Sequence, residues 1–278
     1  MSYNTLKPPL LLLSPRVSPD SLRLWKAAMQ DGWSTRRLKS WRLGDAVPEP
    51  GRRLAMYGDP LFCEALAEQL GKRLAAPRPD YLMVAPWTCV RRLVLMLSLE
   101  EARHLSRPFF GKPAESRAFE SRIYLDGGEL PAEGRLDGDG PVLISEIVRW
   151  EWEFRFFVRE GQILTGSIYA RDGKVAGMNE TPLSRYTDAS LFAADVVDET
   201  RDLLPPACVL DVGFIPLRGW AVVELNAVYA SGLYGCHPGQ ALEAVAGAVL
   251  PGTDAEDSCP PAESSARRDS DEGHLKLP

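Results

Sequence analysis

Two late segments, Val209-Leu210-Asp211-Val212-Gly213 and Ala221-Val222-Val223-Glu224-Leu225-Asn226, decide how this chain is read. Both are short apolar runs with polar residues interleaved, the pattern of strands. Side chains alternate along a strand, so Glu224 and Asn226 face one way, while Val223 and Leu225 face the other, into a core. The turn-like Pro216-Leu217-Arg218-Gly219 between the runs predicts an antiparallel pair that brings Asp211 opposite the Glu224 face. Three oxygen-bearing side chains in one patch are the hard ligands that hold Mg²⁺ against phosphates. The same alternation also describes an amphipathic hairpin with a merely wet face, and these segments alone leave both readings open.

Cations gather upstream. Lys112 ends the apolar run Phe109-Phe110-Gly111-Lys112-Pro113, where it can snorkel to water or hold an anion. Arg91, Arg92, Arg117 and Arg122 surround it in sequence, and Arg155 and Arg171 follow. Arginine offers a planar fork to phosphate oxygens and lysine a point charge. Cations around one segment and carboxylates around another suit a metal–polyphosphate. Between them, Ser145-Glu146-Ile147-Val148 ends a strand, and a second strand restarts with Glu153 and Arg155 on one face. Such a hinge can offer backbone groups to an adenine and a carboxylate to a ribose; a solvated face with ion pairs is the alternative. The sequence holds no GxxxxGK[ST], GxGxxG or kinase catalytic loop, so ATP would bind without a P-loop.

Composition bounds the class. The chain has 278 residues, 45% hydrophobic and 25% charged, ordinary values for a globular protein. No apolar run reaches the roughly 18 residues of a membrane span, and Leu10–Leu13 is too short for a signal-peptide core. Cys63, Cys89, Cys208, Cys236 and Cys259 show no CxxC spacing, which predicts free thiols in a reducing, cytoplasmic setting and no zinc site. The three histidines form no cluster. Residues 252–278 carry seven acidic and three basic side chains, −4 of a net −6, so the body holds only −2 and no general basic surface for nucleic acid. That tail is expected to be disordered.

Along the chain, strand and helix alternate first: Leu10–Leu13, then Pro19–Gln30 with Leu22, Trp25, Ala28 and Met29 at helical spacing behind a Ser18 cap, then Arg53–Tyr57 and Leu61–Leu70. Gly58-Asp59-Pro60 either starts that last helix or forms a ligand-binding strand-to-helix turn. A helix over Ser98–Leu105 follows, then strands over Val142–Val148, Phe154–Val158 and Ile163–Tyr169, a helix over Ser190–Leu203, the two late strands, and a helix over Gly239–Leu250. The fold class is α/β (α+β), an α/β start followed by mainly antiparallel sheets.

Pro108–Pro113 with its lysine, the Ser145–Val148 hinge, the Glu153/Arg155 strand, Tyr169, Asp211…Glu224-x-Asn226 and Ser231-Gly232-Leu233-Tyr234-Gly235, in this order, resemble the ATP-grasp superfamily. The similarity is to small bacterial ATP-grasp proteins of unassigned substrate and covers roughly residues 54–240. It implies a small N-terminal pre-ATP-grasp-like α/β domain over 1–80, a catalytic domain over 81–250 and a tail over 251–278. It further implies Lys112 on the α- and β-phosphates, Arg91 or Arg92 in place of an upstream phosphate lysine, and Glu146, Ile147 and Val148 at the adenine. Glu153 would take the ribose. Asp211, Glu224 and Asn226 would hold two Mg²⁺ ions, and Arg155 the γ-phosphate or a substrate carboxylate. Two departures stand out. Glu115-Ser116-Arg117-Ala118-Phe119 replaces the family's glycine-rich flap, so Arg117 would cover the nucleotide. Val209 replaces an arginine common two residues before the metal aspartate, so Arg155 or Arg171 would substitute. The implied activity is ATP-dependent ligation of a small-molecule or peptide carboxylate to an amine or other nucleophile through an acyl-phosphate. A non-catalytic nucleotide-binding protein and a phosphotransferase are the alternatives.

Overall fold

A computed structural model describes residues 7–44, 47–114, 119–132, 140–177, 179 and 181–252. The tail, Cys259 and Arg117 lie outside the described residues.

The N-terminal part alternates β1 (Leu10–Leu13), α1 (Pro19–Gln30), β2 (Ser34–Arg37), β3 (Leu54–Tyr57), α2 (Pro60–Gln69) and β4 (Lys72–Leu74). β1 lies between β2 and β3, parallel to both. Its four leucines are buried, as an all-apolar strand covered on both faces requires. Ser18 and Ser21 form the reciprocal cap that starts α1, and Asp59 caps α2. The inward face of α1 is rotated from the expected one. Ser21, Leu24, Ala27 and Ala28 are buried, while Leu22, Trp25 and Met29 are exposed. The small residues let α1 lie close beside a later helix, and Arg37 bonds the Ser21 hydroxyl from β2.

Two one-turn helices, α3 (Tyr81–Val84) and α4 (Trp87–Val90), lead to β5 (Val94–Leu97), α5 (Leu99–Arg103), β6 (Phe109–Pro113), β7 (Arg122–Tyr124) and β8 (Val142–Ser145). These strands form an antiparallel sheet in the order β5-β8-β6-β7. Alternation sends Phe109, Val142 and Ile144 into a core with Leu99 and Ala102 of α5. Phe110, Lys112, Leu143 and Ser145 take the other face. Gly111 points into that core, where an added Cβ would come within 2.9 Å of the Phe109 ring, itself stacked on Tyr124 at 5.7 Å. β8 ends at Ser145, three residues before the expected Val148, because residues 146–148 leave the ladder to form the hinge.

The third part contains β9 (Trp152–Arg159), β10 (Gln162–Arg171), β11 (Lys174–Val175), α6 (Leu183–Glu199), β12 (Ala207–Ile215), β13 (Gly219–Asn226), α7 (Pro238–Gly247) and β14 (Val249–Pro251). The antiparallel sheet order is β11-β10-β9-β12-β13, and β14 returns to pair with β4. α6 starts at Leu183, directly after Pro182 and seven residues earlier than expected, and α7 yields to β14 instead of running to Leu250. One sheet face buries Phe154, Phe156, Val158, Leu210 and Val212 against Ala189, Ala193, Val196 and Val197 of α6. The other face changes along its length. Phe157 and Val209 join the N-terminal core with α7, and beyond them the same face turns polar. Among the described residues, no helix is long and apolar enough to cross a membrane.

Candidate functional site

The four-stranded sheet faces the polar end of the five-stranded sheet across a cavity of about 490 Å³. Arg155 of β9 pairs in register with Asp211 of β12, and Asp211 with Glu224 of β13. Arg155 grips Asp211 with both arms of its fork, Nε to Oδ1 at 2.8 Å and Nη2 to Oδ2 at 2.7 Å. Asn226 Nδ2 donates to Asp211 Oδ2 at 3.0 Å and to Glu224 Oε1 at 2.9 Å. From the opposite sheet, Lys112 Nζ reaches Glu224 Oε2 at 2.9 Å. The expected trio therefore meets its lysine. Alternation fails at one position: a bulge after Asp211 turns half-buried Val223 to the cavity instead of the core, while Leu225 packs inward.

Burial and charge compete here. Asp211 has no exposed side-chain surface, and that burial pushes its carboxyl up to about 6 despite Arg155. Burial also raises Glu153, with the Tyr169 hydroxyl, 2.8 Å away, opposing the rise. Burial acts to raise Glu224 too, but Lys112, Asn226 and Arg155 together hold it below the ordinary value. The Arg155 guanidinium lies over Tyr169 and Tyr234, at 5.4 and 5.1 Å, two rings that pack on each other at 5.3 Å, and gives Nη1 to the Gly232 carbonyl at 3.1 Å.

At the other end of the cavity, Glu146 pairs with both terminal nitrogens of Arg218, which lowers its pKa. Ile147 and Val148 line the cavity, and among the described residues they make no backbone hydrogen bond. Their N–H and C=O groups require outside partners. Trp150 forms a wall, lying where an added Cβ on Gly213 would approach its ring to 2.5 Å.

Of the two candidate arginines, Arg92 lines the cavity and Arg91 does not. Arg92 is buried, bonds the Val223 carbonyl at 2.8 Å and Ser145 Oγ at 3.1 Å, and lies over Trp150; burial lowers it to about 10. Arg91 sits in the left-handed region (φ 49°) and binds the Arg218 carbonyl outside the cavity. Arg171 is also not brought to the site. Paired with Trp152, it stacks on that ring at 4.4 Å on the α6 face of the sheet, opposite Glu153. Sequence reasoning misses the roles of Trp150, Arg218 and Tyr234. Only Tyr234, within its Ser-Gly-x-x-Gly run, carries a local signal.

Among the described residues, no group of three or more His, Cys, Asp or Glu side chains is set to hold a metal. The donor set is two carboxylates and one amide. Glu224 and Asn226 line a second opening beside Lys112, of about 240 Å³. The oxygens of Glu224 carry Lys112 and Asn226 but its side chain is a third exposed, whereas Asp211 is fully buried with both oxygens engaged. This set fits Mg²⁺ through Glu224 and Asn226, with Asp211 behind them.

A sheet-over-sheet cleft thus carries a lysine on one wall and carboxylates on the other. A family model for the ATP-grasp domain, describing the second family of one clade, matches residues 90–244, more than half of the chain, and the chain belongs to that ATP-grasp family. Similar solved structures agree on the fold. They include N5-carboxyaminoimidazole synthetase from Staphylococcus aureus (13% identity, 90% of this chain and 81% of that one, TM-score 0.58). A RimK domain ATP-grasp protein from Sphaerobacter thermophilus shows 17% identity, 86% and 97% coverage and a TM-score of 0.56. D-alanine–D-alanine ligase from Bacillus anthracis shows 13%, 79% and 86%, and 0.52. None of the curated proteins matches the sequence.

Proposed function

We propose that this protein is an ATP- and Mg²⁺-dependent ligase that activates a carboxylate as an acyl-phosphate and passes it to an amine. The observation that carries this reading is the 2.9 Å contact of Lys112 with Glu224 across the cleft, which puts a phosphate-binding cation beside a metal-binding carboxylate. The adenine lies between the sheets, its edge on the free backbone groups of Ile147 and Val148, with Trp150 and Phe110 as walls. Glu153, aimed by Tyr169, takes the ribose hydroxyls. Lys112 turns from Glu224 to the α- and β-phosphates, and Arg92 adds charge from the cavity wall. Glu224 and Asn226 would hold Mg²⁺, which would screen phosphate repulsion. Arg155, already clamped to Asp211, acts by fixing that carboxylate and by its positive field on the carboxylate substrate. Arg117 as a cover and Arg171 as a second cation have no support here: one lies outside the described residues, the other on the far face.

Residues 1–80 supply an α/β unit that α7 and β14 complete, and the nucleotide cavity belongs to the two antiparallel sheets that follow. Cys63, Cys89, Cys208 and Cys236 are buried and unpaired, in keeping with a reducing cytoplasmic setting. Glu224→Gln tests the reading. The side chain is a third exposed, so the fold survives its change, and Mg²⁺-dependent ADP release should fall by about 10²–10³-fold. Undiminished release at saturating Mg²⁺ excludes this site. Free phosphate with a new amide distinguishes ligation from phosphate transfer to a hydroxyl.

A further inference from the structure

A second crevice of about 540 Å³ opens where β1 and β3 end, and it shares no lining residue with the nucleotide cavity. Ligands of parallel α/β sheets bind outside the carboxyl ends of the strands. Here Ser14 follows β1 and Gly58 follows β3, so close together that an added Cβ on Gly58 would lie 2.5 Å from Ser14 Cβ. Gly58-Asp59-Pro60, which starts α2, thus also forms a wall of this crevice.

Its chemistry is divided by position. At the inner end, Asp20 accepts the Leu233 N–H on Oδ2 at 3.1 Å and has Arg23 at a long 3.4 Å from Oδ1. A Cβ on Gly232 would lie 3.3 Å from Asp20 Oδ2 and 3.7 Å from Arg155 Nη1. Asp20 is therefore one residue's width from the guanidinium that holds Asp211. Asp59 Oδ1 accepts the Leu61 N–H at 3.0 Å, and no hydrogen bond engages Oδ2 among the described residues. Arg16, also on the lining, is exposed, and among the described residues its guanidinium makes no ion pair. Trp41 also lines the crevice and is 48% exposed, its ring edge-on to buried Phe62 at 6.1 Å. One crevice that offers carboxylates, an arginine and a half-exposed tryptophan fits a zwitterion with an aromatic side chain.

We propose that this crevice binds the amine partner of the ligation, a free aromatic α-amino acid, with its ammonium at Asp20 and Asp59, its carboxylate at Arg16 and its ring on Trp41. The assignment rests on the ligase reading above. The ammonium end faces Gly232 and Arg155, where the acyl-phosphate forms, and the carboxylate end faces out. The ammonium first loses a proton to water. The nitrogen lone pair then forms the C–N bond as the acyl C–O bond breaks, phosphate leaves with that electron pair, and the second nitrogen proton follows to phosphate or water.

Calorimetric titration of the full chain without nucleotide, using L-phenylalanine, tests this directly. L-Phenylalanine should bind. 3-Phenylpropionate, lacking the amine, and L-phenylalaninamide, lacking the carboxylate, should each bind at least tenfold more weakly. Trp41→Ala and Arg16→Ala should each cost at least tenfold in L-phenylalanine affinity and leave binding of a non-hydrolysable ATP analogue unchanged. An absence of L-phenylalanine binding in protein that still takes up the analogue overturns the crevice assignment alone, as does equal affinity in both variants. Failure of the analogue to bind removes the ligase reading instead, and the amine-donor role with it.

Discussion

The two faces of the five-stranded sheet are made by neighbouring residues of the same strands and obey different rules. On one face Phe154, Phe156, Val158, Leu210 and Val212 are buried among α6 side chains. Each contributes through the area it removes from water, roughly 25 cal/mol per Å², and any residue of suitable volume would serve. On the other face Glu153, Arg155, Asp211, Glu224 and Asn226 each have named partners at 2.7–3.1 Å. Buried charges of this kind roughly break even in stability, because desolvation offsets their attraction. The apolar face holds the sheet; the polar face adds no net stability and fixes positions. A chain that burdens one sheet with a fully buried Asp–Arg pair does so where chemistry needs it.

Asp211→Ala attacks this contrast most directly, because it strands the buried Arg155 charge. It should cost ~3–5 kcal/mol in denaturant unfolding and eliminate ATP turnover. Adding Arg155→Met should restore most of the stability and none of the turnover. If Asp211→Ala changes unfolding by less than about 1 kcal/mol, the pair is not the buried, coupled unit described here. Glu224→Gln differs because its side chain is a third exposed, whereas fully buried Asp211 cannot be altered without touching the fold.

A smaller effect should appear with pH. The carboxyl of Asp211 titrates near 6 when folded against an ordinary 3.8, raised by burial. Its contribution to stability is therefore present below about 3.8 and is lost as pH rises through about 6. Turnover runs the other way, because protonation releases Arg155's charged partner. Between pH 7 and 5, ADP release should fall up to tenfold per unit below 6, while the thermal midpoint shows no loss attributable to this group. Glu224, held low, keeps its charge throughout that window. Parallel loss of activity and stability over those two units would contradict the assignment to Asp211.

What could be read from the chain follows the same division. β9, β10, β12 and β13 are long enough for alternation to show, and the facing of Glu153, Arg155, Asp211, Glu224 and Asn226 follows from it. β4, β7, β11 and β14 have two or three residues each and carry no period. They exist because tertiary neighbours supply the ladder. The errors among the cations have one cause. Arg91 and Arg171 lie near functional residues in sequence, but a left-handed backbone carries Arg91 outward, and Arg171's pairing with Trp152 puts it on the α6 side. Nearness along the chain does not choose a face. Val223 escapes the expected facing because a bulge resets the count of alternation, and nothing local marks it. The Glu146–Arg218 pair joins residues 72 apart, so no spacing rule reaches it.

The mildest test concerns the apolar face alone. Ile168 on β10 is 1% exposed within the α6-side core. Ile168→Val removes one methylene there and touches no group of the polar face. It should cost ~0.5–1.5 kcal/mol of stability, the range set by how far α6 can close over the lost volume. Turnover and nucleotide affinity should stay within about twofold of the parent, measured by ADP release and calorimetry. A larger functional change from so small a loss of volume would mean that packing beneath the sheet sets the position of Tyr169, the next residue in the chain. The two faces would then be mechanically one, and the division of labour between them would have to be redrawn around the bulge that separates Ile168 from Ala170.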